Sequence, residues 1–322
     1  MPISVIISNF NGARFLPRLI ETLHQQQKVT VEIIVVDRQS TDGSIDYLRG
    51  FPEIRIVTEP ASTGLVAGYA AGAVVAQYDH LFFCNEDMWF DPLCLYKLRE
   101  QICMERGIVA ADPWQWTYDG KTWIHGGTRF YRCNWEANSP YPRRGFDFTV
   151  PLATGQKVPF ACAGAFLIQR RAYDEIGGWD KSFFLDHEDI DLFVRVWQRG
   201  WHCVTAPEAK VYHAVNASNA KALQNGQRVL PRRYVANRSN LAVICLKYYS
   251  GIRLLLAGAT LLMPVISDIV KMRWKKMQLD LKSILLTIRR VGAVRQFRHE
   301  NRQWAQGKPG HRFFLQEDMT RL

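Results

Sequence analysis

The sequence has no CxxC pair: its seven cysteines, at positions 84, 94, 103, 133, 162, 203 and 245, are odd in number and scattered. That argues against a disulfide framework and a cysteine zinc site, and for a reducing compartment. The opening residues Met1-Pro2-Ile3-Ser4-Val5-Ile6-Ile7-Ser8 lack the charged leader, apolar stretch and cleavage site of a signal peptide, and read directly as a strand. The longest strongly apolar stretch without a charge, residues 254–267, has fourteen residues, short of the roughly 18–20 that span a bilayer. The first strand–helix turn, Ser8-Asn9-Phe10-Asn11-Gly12-Ala13-Arg14, holds one glycine where a dinucleotide fingerprint needs three, and no GxxxxGK[ST] run wraps a phosphate. Dehydrogenase and P-loop chemistry are thereby disfavoured. No internal repeat or low-complexity segment stands out.

What is present suits a globular chain. The 322 residues are 48% hydrophobic, 22% charged and 12% aromatic, enough for one large or two modest domains. The net charge of +11 is unevenly spread: residues 221–322 hold 20 basic and 5 acidic side chains, leaving 21 and 25 for residues 1–220. A catalytic domain over 1–220 and a basic, amphipathic helical region over 221–322 are expected.

β-branched runs at 3–8, 32–36, 54–58 and 80–84 alternate with helix-period stretches at 14–26, 41–49, 65–76 and 93–103. With short links, this is the pattern of an α/β fold with a parallel sheet covered on both faces. Ligands of such sheets gather at the carboxyl ends of the strands, where Asn9, Asn11, Asp37, Asn85, Glu86 and Asp87 fall. From 112 to about 159 the period breaks into a Gly-, Pro-, Arg- and Trp-rich stretch (Trp114, Trp116, Trp123, Trp135) suited to substrate loops and short strands. A buried strand at 160–168, a helix at 186–199, strands at 202–205 and 210–213, and apolar helices at 233–246, 254–272 and 277–291 are expected beyond it.

Several residues can carry chemistry, each with a plainer role beside it. Asp37, closing Ile33-Ile34-Val35-Val36, can accept a hydrogen bond from a ribose hydroxyl or from the N3–H of uracil or thymine; it can equally serve as a turn or N-cap residue before Ser40-Thr41-Asp42-Gly43. Asn85-Glu86-Asp87 puts acids at a strand end, fit for a hard divalent cation with a diphosphate or for a solvated loop. In Asp186-His187-Glu188-Asp189-Ile190-Asp191 the acids flank a helix start, where dipole and capping favour them without catalysis. Crowding four carboxylates there can also raise one toward a general base's working range. His213 gains meaning only if the fold brings it beside Asp87. Trp179 can stack on a sugar or pack in the core. The sequons at Asn216 and Asn237 are discounted for want of a secretion signal.

Taken in order, Ser4-Val5-Ile6-Ile7-Ser8-Asn9-Phe10-Asn11-Gly12, Val35-Val36-Asp37 with Ser40-Thr41-Asp42-Gly43-Ser44, Asn85-Glu86-Asp87, Gly177-Gly178-Trp179-Asp180 and Glu188-Asp189-Ile190-Asp191-Leu192 resemble the family 2 glycosyltransferases of GT-A fold. The likeness is greatest to bacterial rhamnosyltransferase-like members and covers about residues 1–215. It implies a Rossmann-like, mainly parallel central sheet with a C-terminal helical, membrane-associating extension. It implies donor and nucleotide binding by Ser8, Asn9, Asn11, Asp37, Glu86 and Asp87, with Asp37 on the uracil or thymine base. It further implies Mg²⁺ or Mn²⁺ on Asp87, joined by His213; Asp189 as the base of an inverting transfer; Trp179 and Glu188 toward the acceptor; and Ala163-Gly164-Ala165 lining the sugar site. Two departures stand out. Asn85 replaces the first aspartate of the DXD-type motif, pointing to weaker metal dependence or to a catalytically silent nucleotide- or glycan-binding module. Glu59-Pro60-Ala61-Ser62-Thr63-Gly64 stands where an asparagine-glycine segment is expected.

The expected donor is a dTDP-sugar, rhamnose favoured, or a UDP-hexose, and the acceptor a glycan or polyprenyl-diphosphate-linked glycan in surface-polysaccharide synthesis. The leucine clusters at 254–256 and 261–263, followed by Lys271, Arg273, Lys275 and Lys276, suit an anionic membrane surface. No nucleic-acid motif accompanies them. A helical cap on the catalytic body, or a homo-oligomer contact, is the structural alternative. Peripheral attachment to the cytoplasmic face of the cell membrane is expected.

Overall fold

Val5, Ile6 and Ile7, Ile34, Val35 and Val36, and Leu81, Phe82 and Phe83 are each fully buried, as strands covered on both faces require. The computed structural model describes residues 2–127, 129–134, 143–147, 151–214, 231–249 and 251–305. The chain runs through β1 (Pro2–Asn9), α1 (Leu16–His24), β2 (Thr30–Asp37), α2 (Ser44–Leu48), β3 (Arg55–Thr58), α3 (Gly64–Val75), β4 (His80–Asn85) and β5 (Met88–Phe90). It continues through α4 (Cys94–Met104), β6 (Ile108–Thr117), β7 (Trp123–His125), β8 (Arg129–Asn134), β9 (Arg143–Asp147), β10 (Lys157–Val158), β11 (Ala165–Gln169) and α5 (Arg170–Glu175). After these come α6 (Glu188–Gln198), β12 (His202–His213), α7 (Pro231–Tyr248), α8 (Gly251–Val270) and α9 (Trp274–Ala305). Two compact units result: the described residues of the first lie within Met1–Lys181 and Leu192–Ala217, those of the second within Ser182–Asp191 and Ser218–Phe314.

In the first unit the main sheet has the order β10-β12-β6-β11-β4-β1-β2-β3. The strands β4, β1, β2 and β3 are parallel, as are β6 and β12. β11 runs antiparallel to both β4 and β6, so the sheet is mixed. On α1, Leu16, Leu19, Ile20 and Leu23 bury one face at helical spacing. α3 carries Gly64, Gly68 and Gly72 four residues apart, and this bare stripe lets its backbone approach the sheet. A Cβ at Gly68 would strike Ser8 Oγ, and one at Gly72 would strike Ile6 Cγ2. Gly72→Ala is therefore expected to destabilise the protein by about 1–3 kcal/mol through overpacking, read as a lower denaturant midpoint.

The structure departs from the sequence expectations in four places. β6 runs unbroken for ten residues to Thr117, into a stretch expected to hold substrate loops and short strands. The strands expected at 202–205 and 210–213 are one strand, β12, with a register shift between Ala206 and Lys210. The strand expected at 160–168 begins only at Ala165. The helix expected from 186 starts at Glu188, because Asp186 and His187 both have positive φ, 70° and 67°. Trp135, the Asn216 sequon and the boundary at 220 lie outside the described residues. Ser239 of the second sequon is fully buried.

The second unit has a polar interior. Asp280 accepts the Tyr234 hydroxyl at 2.6 Å and pairs with Arg238 at 2.9 Å. Asp268 pairs with Arg273 and, at 2.8 Å, with Lys276, so two of the four cations expected to face lipid already have a partner. The exterior is unusually apolar: Leu255, Leu262, Ile266 and Ile269 on α8 are exposed, and Trp274, Leu281, Leu285 and Ile288 on α9 repeat the same seven-four-three spacing. Among the described residues no helix is long and apolar enough to cross a membrane.

Candidate active site

Strand register sets the first part of the site. Asn9 lies directly opposite Asp37 at the ends of β1 and β2, and Ser8 opposite Asn85. Asp37 is 1% exposed. Its Oδ1 accepts Asn9 Nδ2 at 2.8 Å and its Oδ2 accepts the Ser40 N–H at 2.9 Å. Asn11, in the left-handed region at φ 55°, accepts the Thr41 N–H on its side-chain oxygen and donates its own N–H to Ser40 Oγ. Asp42 accepts the Ala13 N–H at 2.8 Å. The loops after β1 and β2 thus brace each other, and Asn9, Asn11 and Asp37 all take part in that bracing. Ser8 departs from its expected donor-binding role: its hydroxyl is fully buried against α3.

The second part is built by β5, the short strand directly after the acidic triplet. It pairs antiparallel with the end of β12, setting His213 opposite Met88, while the Ala214 N–H donates to the Asp87 carbonyl at 3.0 Å. His213 Nε2 consequently stands 3.2 Å from Asp87 Oδ1, meeting the condition under which this histidine matters. Its Nδ1 lies 3.2 Å from Gln115 Oε1; the tautomer with its proton on Nδ1 donates there and turns the Nε2 lone pair toward Asp87. Asp87 Oδ1 is buried and accepts no hydrogen bond. With the ring in that tautomer, two lone-pair atoms face each other at a distance suited to a shared cation. A divalent ion with ligands at about 2.1 Å holds neighbouring donors about 3 Å apart. Among the described residues no three His, Cys, Asp or Glu side chains gather as a preformed metal cage, so substrate oxygens and water would complete the shell. Asn85, in place of an aspartate, accepts the buried Tyr69 hydroxyl at 2.8 Å. Glu86 is pushed up to about 7 by burial and then by Asp87, and its side chain fills the space a Cβ on Gly12 would need. Gly164 is similarly bare: a Cβ there would meet Met88 Cε at 2.9 Å and His213 Cε1 at 3.6 Å.

The acid-rich segment expected to hold the base belongs to the second unit and is the turn before α6. Two of its four acids are tied down. Asp186 is held by Arg233 through Nε and Nη2 at 2.9 and 2.7 Å, and Asp191 receives Lys247 Nζ at 2.7 Å and the Tyr248 hydroxyl at 2.9 Å. Glu188 is buried, its Oε2 has no hydrogen-bond partner, and burial first, then the Asp189 charge, holds its carboxyl well above the usual range. Crowding was expected to raise one of these acids; desolvation is the larger cause. Its neighbour Asp189, half-buried at the helix start, accepts the Ile190 N–H on Oδ1 at 2.8 Å. Because the folded-state value is raised, Glu188 makes the fold less stable as pH climbs past its ordinary value toward the raised one. Glu188→Gln is expected to gain more stability over the parent at pH 8 than at pH 5, measured by denaturant midpoints at both.

Trp179 contradicts the acceptor role expected for it. It is 4% exposed, stacked on Tyr69 at 5.6 Å and set edge-on to Phe83 and Phe166. Gln115, Tyr69, Arg233 and Asn240 were missed. For Gln115 and Tyr69 the sequence carries no signal. Arg233, Asn240 and Lys247, however, are spaced by seven residues, one polar stripe along α7.

A mannosyltransferase from Pyrobaculum calidifontis, solved with GDP-Man and Mn²⁺, superposes with a TM-score of 0.54 at 14% identity, over 95% of this chain and 81% of that one. GalNAc-T7, solved with UDP, GalNAc and Mn²⁺, gives 0.51 at 19% identity, over 66% and 42%. The fold is GT-A. Residues 4–177, more than half the chain, match the glycosyl transferase family 2 model, and the chain belongs to that family. It is 26% identical over 274 residues to human polypeptide N-acetylgalactosaminyltransferase 6, covering 77% of this chain but 42% of that protein. It is 22% identical over 232 residues to the N-acetylglucosaminyl-diphospho-decaprenol L-rhamnosyltransferase of Mycobacterium tuberculosis, covering 65% and 75%. The chain thus spans about two fifths of the length of the human relative.

Proposed function

We propose that the chain is an inverting, divalent-metal-dependent glycosyltransferase that moves a sugar from a dTDP- or UDP-linked donor onto a glycan or lipid-linked glycan. The observation that carries this reading is the facing pair Asp87 and His213, 3.2 Å apart, with no hydrogen bond on the buried Asp87 Oδ1. These two residues would hold Mg²⁺ or Mn²⁺, which when bound would stabilise the charge of the departing nucleoside diphosphate. Gln115 fixes the His213 ring so that Nε2 stays available. Asp37 offers a nucleobase N–H the remaining lone pairs of its braced carboxylate. Asp189 accepts the proton of an acceptor hydroxyl as that oxygen attacks the anomeric carbon, a single displacement that inverts the centre. The mycobacterial relative, an L-rhamnosyltransferase by name, favours rhamnose and a polyprenyl-diphosphate-linked acceptor; the N-acetylgalactosaminyltransferase relatives favour N-acetylgalactosamine. The test is nucleoside diphosphate release from a donor panel with and without Mn²⁺.

The same reading includes peripheral attachment to the cytoplasmic face of an anionic membrane. Its support is the two exposed apolar stripes on α8 and α9, edged by the exposed Lys271, Lys275 and Lys282; solvent-facing apolar surface of this extent marks an interaction site. Replacing Leu262 and Ile266 with Glu is expected to abolish co-sedimentation with vesicles rich in phosphatidylglycerol while leaving the thermal midpoint unchanged.

A further inference from the structure

Two residues shortly before Asp189 adopt a backbone that local sequence does not favour. Asp186 and His187 are consecutive non-glycine residues in the left-handed region, at φ 70° and 67°. Such conformations are costly and persist only where the surroundings over-determine them. Here the surroundings are three side chains of the helical region. Asn240, 1% exposed, donates its amide to two successive carbonyls, Leu185 at 2.9 Å and Asp186 at 2.7 Å. Its own oxygen accepts Arg290 Nη1 at 2.7 Å, which fixes which way the amide faces. Arg290, itself buried, reaches Ser182 Oγ at 2.9 Å through Nη2. Arg233 closes the set with its two-point grip on the Asp186 carboxylate.

We infer that Arg233, Asn240 and Arg290 form a clamp whose task is to set the direction in which the turn presents Asp189. They are positioning residues, and this inference rests on Asp189 being the base. Two features favour this over simple packing. The clamp binds the backbone carbonyls of strained Asp186 and of Leu185 just before it, where a packing role would need only apolar contact. It is also anchored at residues 182, 185 and 186, with Lys247 and Tyr248 fixing Asp191 beyond, so the stretch between is held from both ends. The basic C-terminal region thus completes the catalytic turn as well as carrying the exposed apolar stripes.

The deciding variant is Asn240→Asp, which keeps the shape and the attraction to Arg290 but removes both donors. Hydrogen–deuterium exchange is compared between residues 186–191, whose reporter is the Asp191 N–H on the His187 carbonyl, and strands β1 to β4. Steady-state kinetics are run beside it with whichever donor of a dTDP-rhamnose and UDP-sugar panel the parent turns over. The expected result is at least tenfold faster exchange in the turn alone, and kcat lower by about 10–100-fold with donor KM within twofold. Arg233→Lys, which retains the charge, should recover most of what Arg233→Gln loses. Unchanged exchange, faster exchange throughout the protein, or full kcat despite a loosened turn would each overturn the clamp. Full turnover in Asp189→Ala would instead overturn the base assignment. The exchange comparison reads the clamp even in the absence of turnover, so the two failures are distinguishable.

Discussion

Asp87→Ala is expected to abolish metal-stimulated release of nucleoside diphosphate, and His213→Ala to lower it by about 10²–10³-fold, the usual loss when a group stabilising transition-state charge is removed. The two side chains stand 3.2 Å apart, and in the proposed metal site each would supply an electron pair. Removing either leaves one protein ligand, and substrate phosphate and water cannot restore the geometry. Gln115→Leu frees the ring to turn or to exchange its tautomer, and a smaller loss of about 10–100-fold in metal affinity is expected. Calorimetric titration with Mn²⁺ in the presence of nucleoside diphosphate separates the effects: the Asp87 and His213 variants should lose the metal-dependent part of nucleotide binding, whereas the Gln115 variant should retain it at weaker affinity. Metal-stimulated binding at parental strength in Asp87→Ala would remove that residue from the ligand set.

The second large effect is expected at Asp189. Substitution by Asn keeps the size and the helix-start position and removes the proton acceptor, so kcat should fall by about 10²–10⁴-fold. Nucleotide affinity should stay at the parental value, because the Asn9–Asp37 and Asp87–His213 assemblies belong to strands the substitution does not touch. Glu188→Gln separates the two neighbours. Burial raises the Glu188 carboxyl and favours its proton-bearing form, so an uncharged isostere should leave turnover within a few-fold of the parent. A large loss in Glu188→Gln with turnover retained in Asp189→Asn would reverse the assignment.

The sequence made the first hundred residues legible because strands buried on both faces read as unbroken β-branched or aromatic runs, and each helix between them has its own period. The carboxyl ends of β1, β2 and β4 could therefore be located, and Asn9, Asp37 and Asp87 with them. The meeting of His213 with Asp87 could not, because it depends on β5, three residues long, folding back onto β12 from 121 residues away in sequence. Trp179 was misplaced because an aromatic after a Gly-Gly turn has the same sequence signature whether it faces a sugar or, as here, Tyr69, Phe83 and Phe166. The tail was read by composition alone, and composition counts Arg233, Asn240, Lys247 and Arg290 as solvated polar residues. In the structure they are buried or bonded partners of Asp186, Asp191 and the turn between them. A heptad-spaced polar stripe facing an acid-rich segment is a pattern that could have suggested this pairing.

The most direct measurement is nucleoside diphosphate release from dTDP-rhamnose, UDP-glucose, UDP-galactose and the UDP-N-acetylhexosamines, with and without Mn²⁺, in the presence of a membrane lipid extract. Release from one donor that rises with Mn²⁺ and disappears in Asp87→Ala is the result expected of a metal-dependent transferase. Silence from every donor, alongside clear calorimetric binding of the nucleotide, would contradict transfer and leave a nucleotide-binding module of GT-A fold.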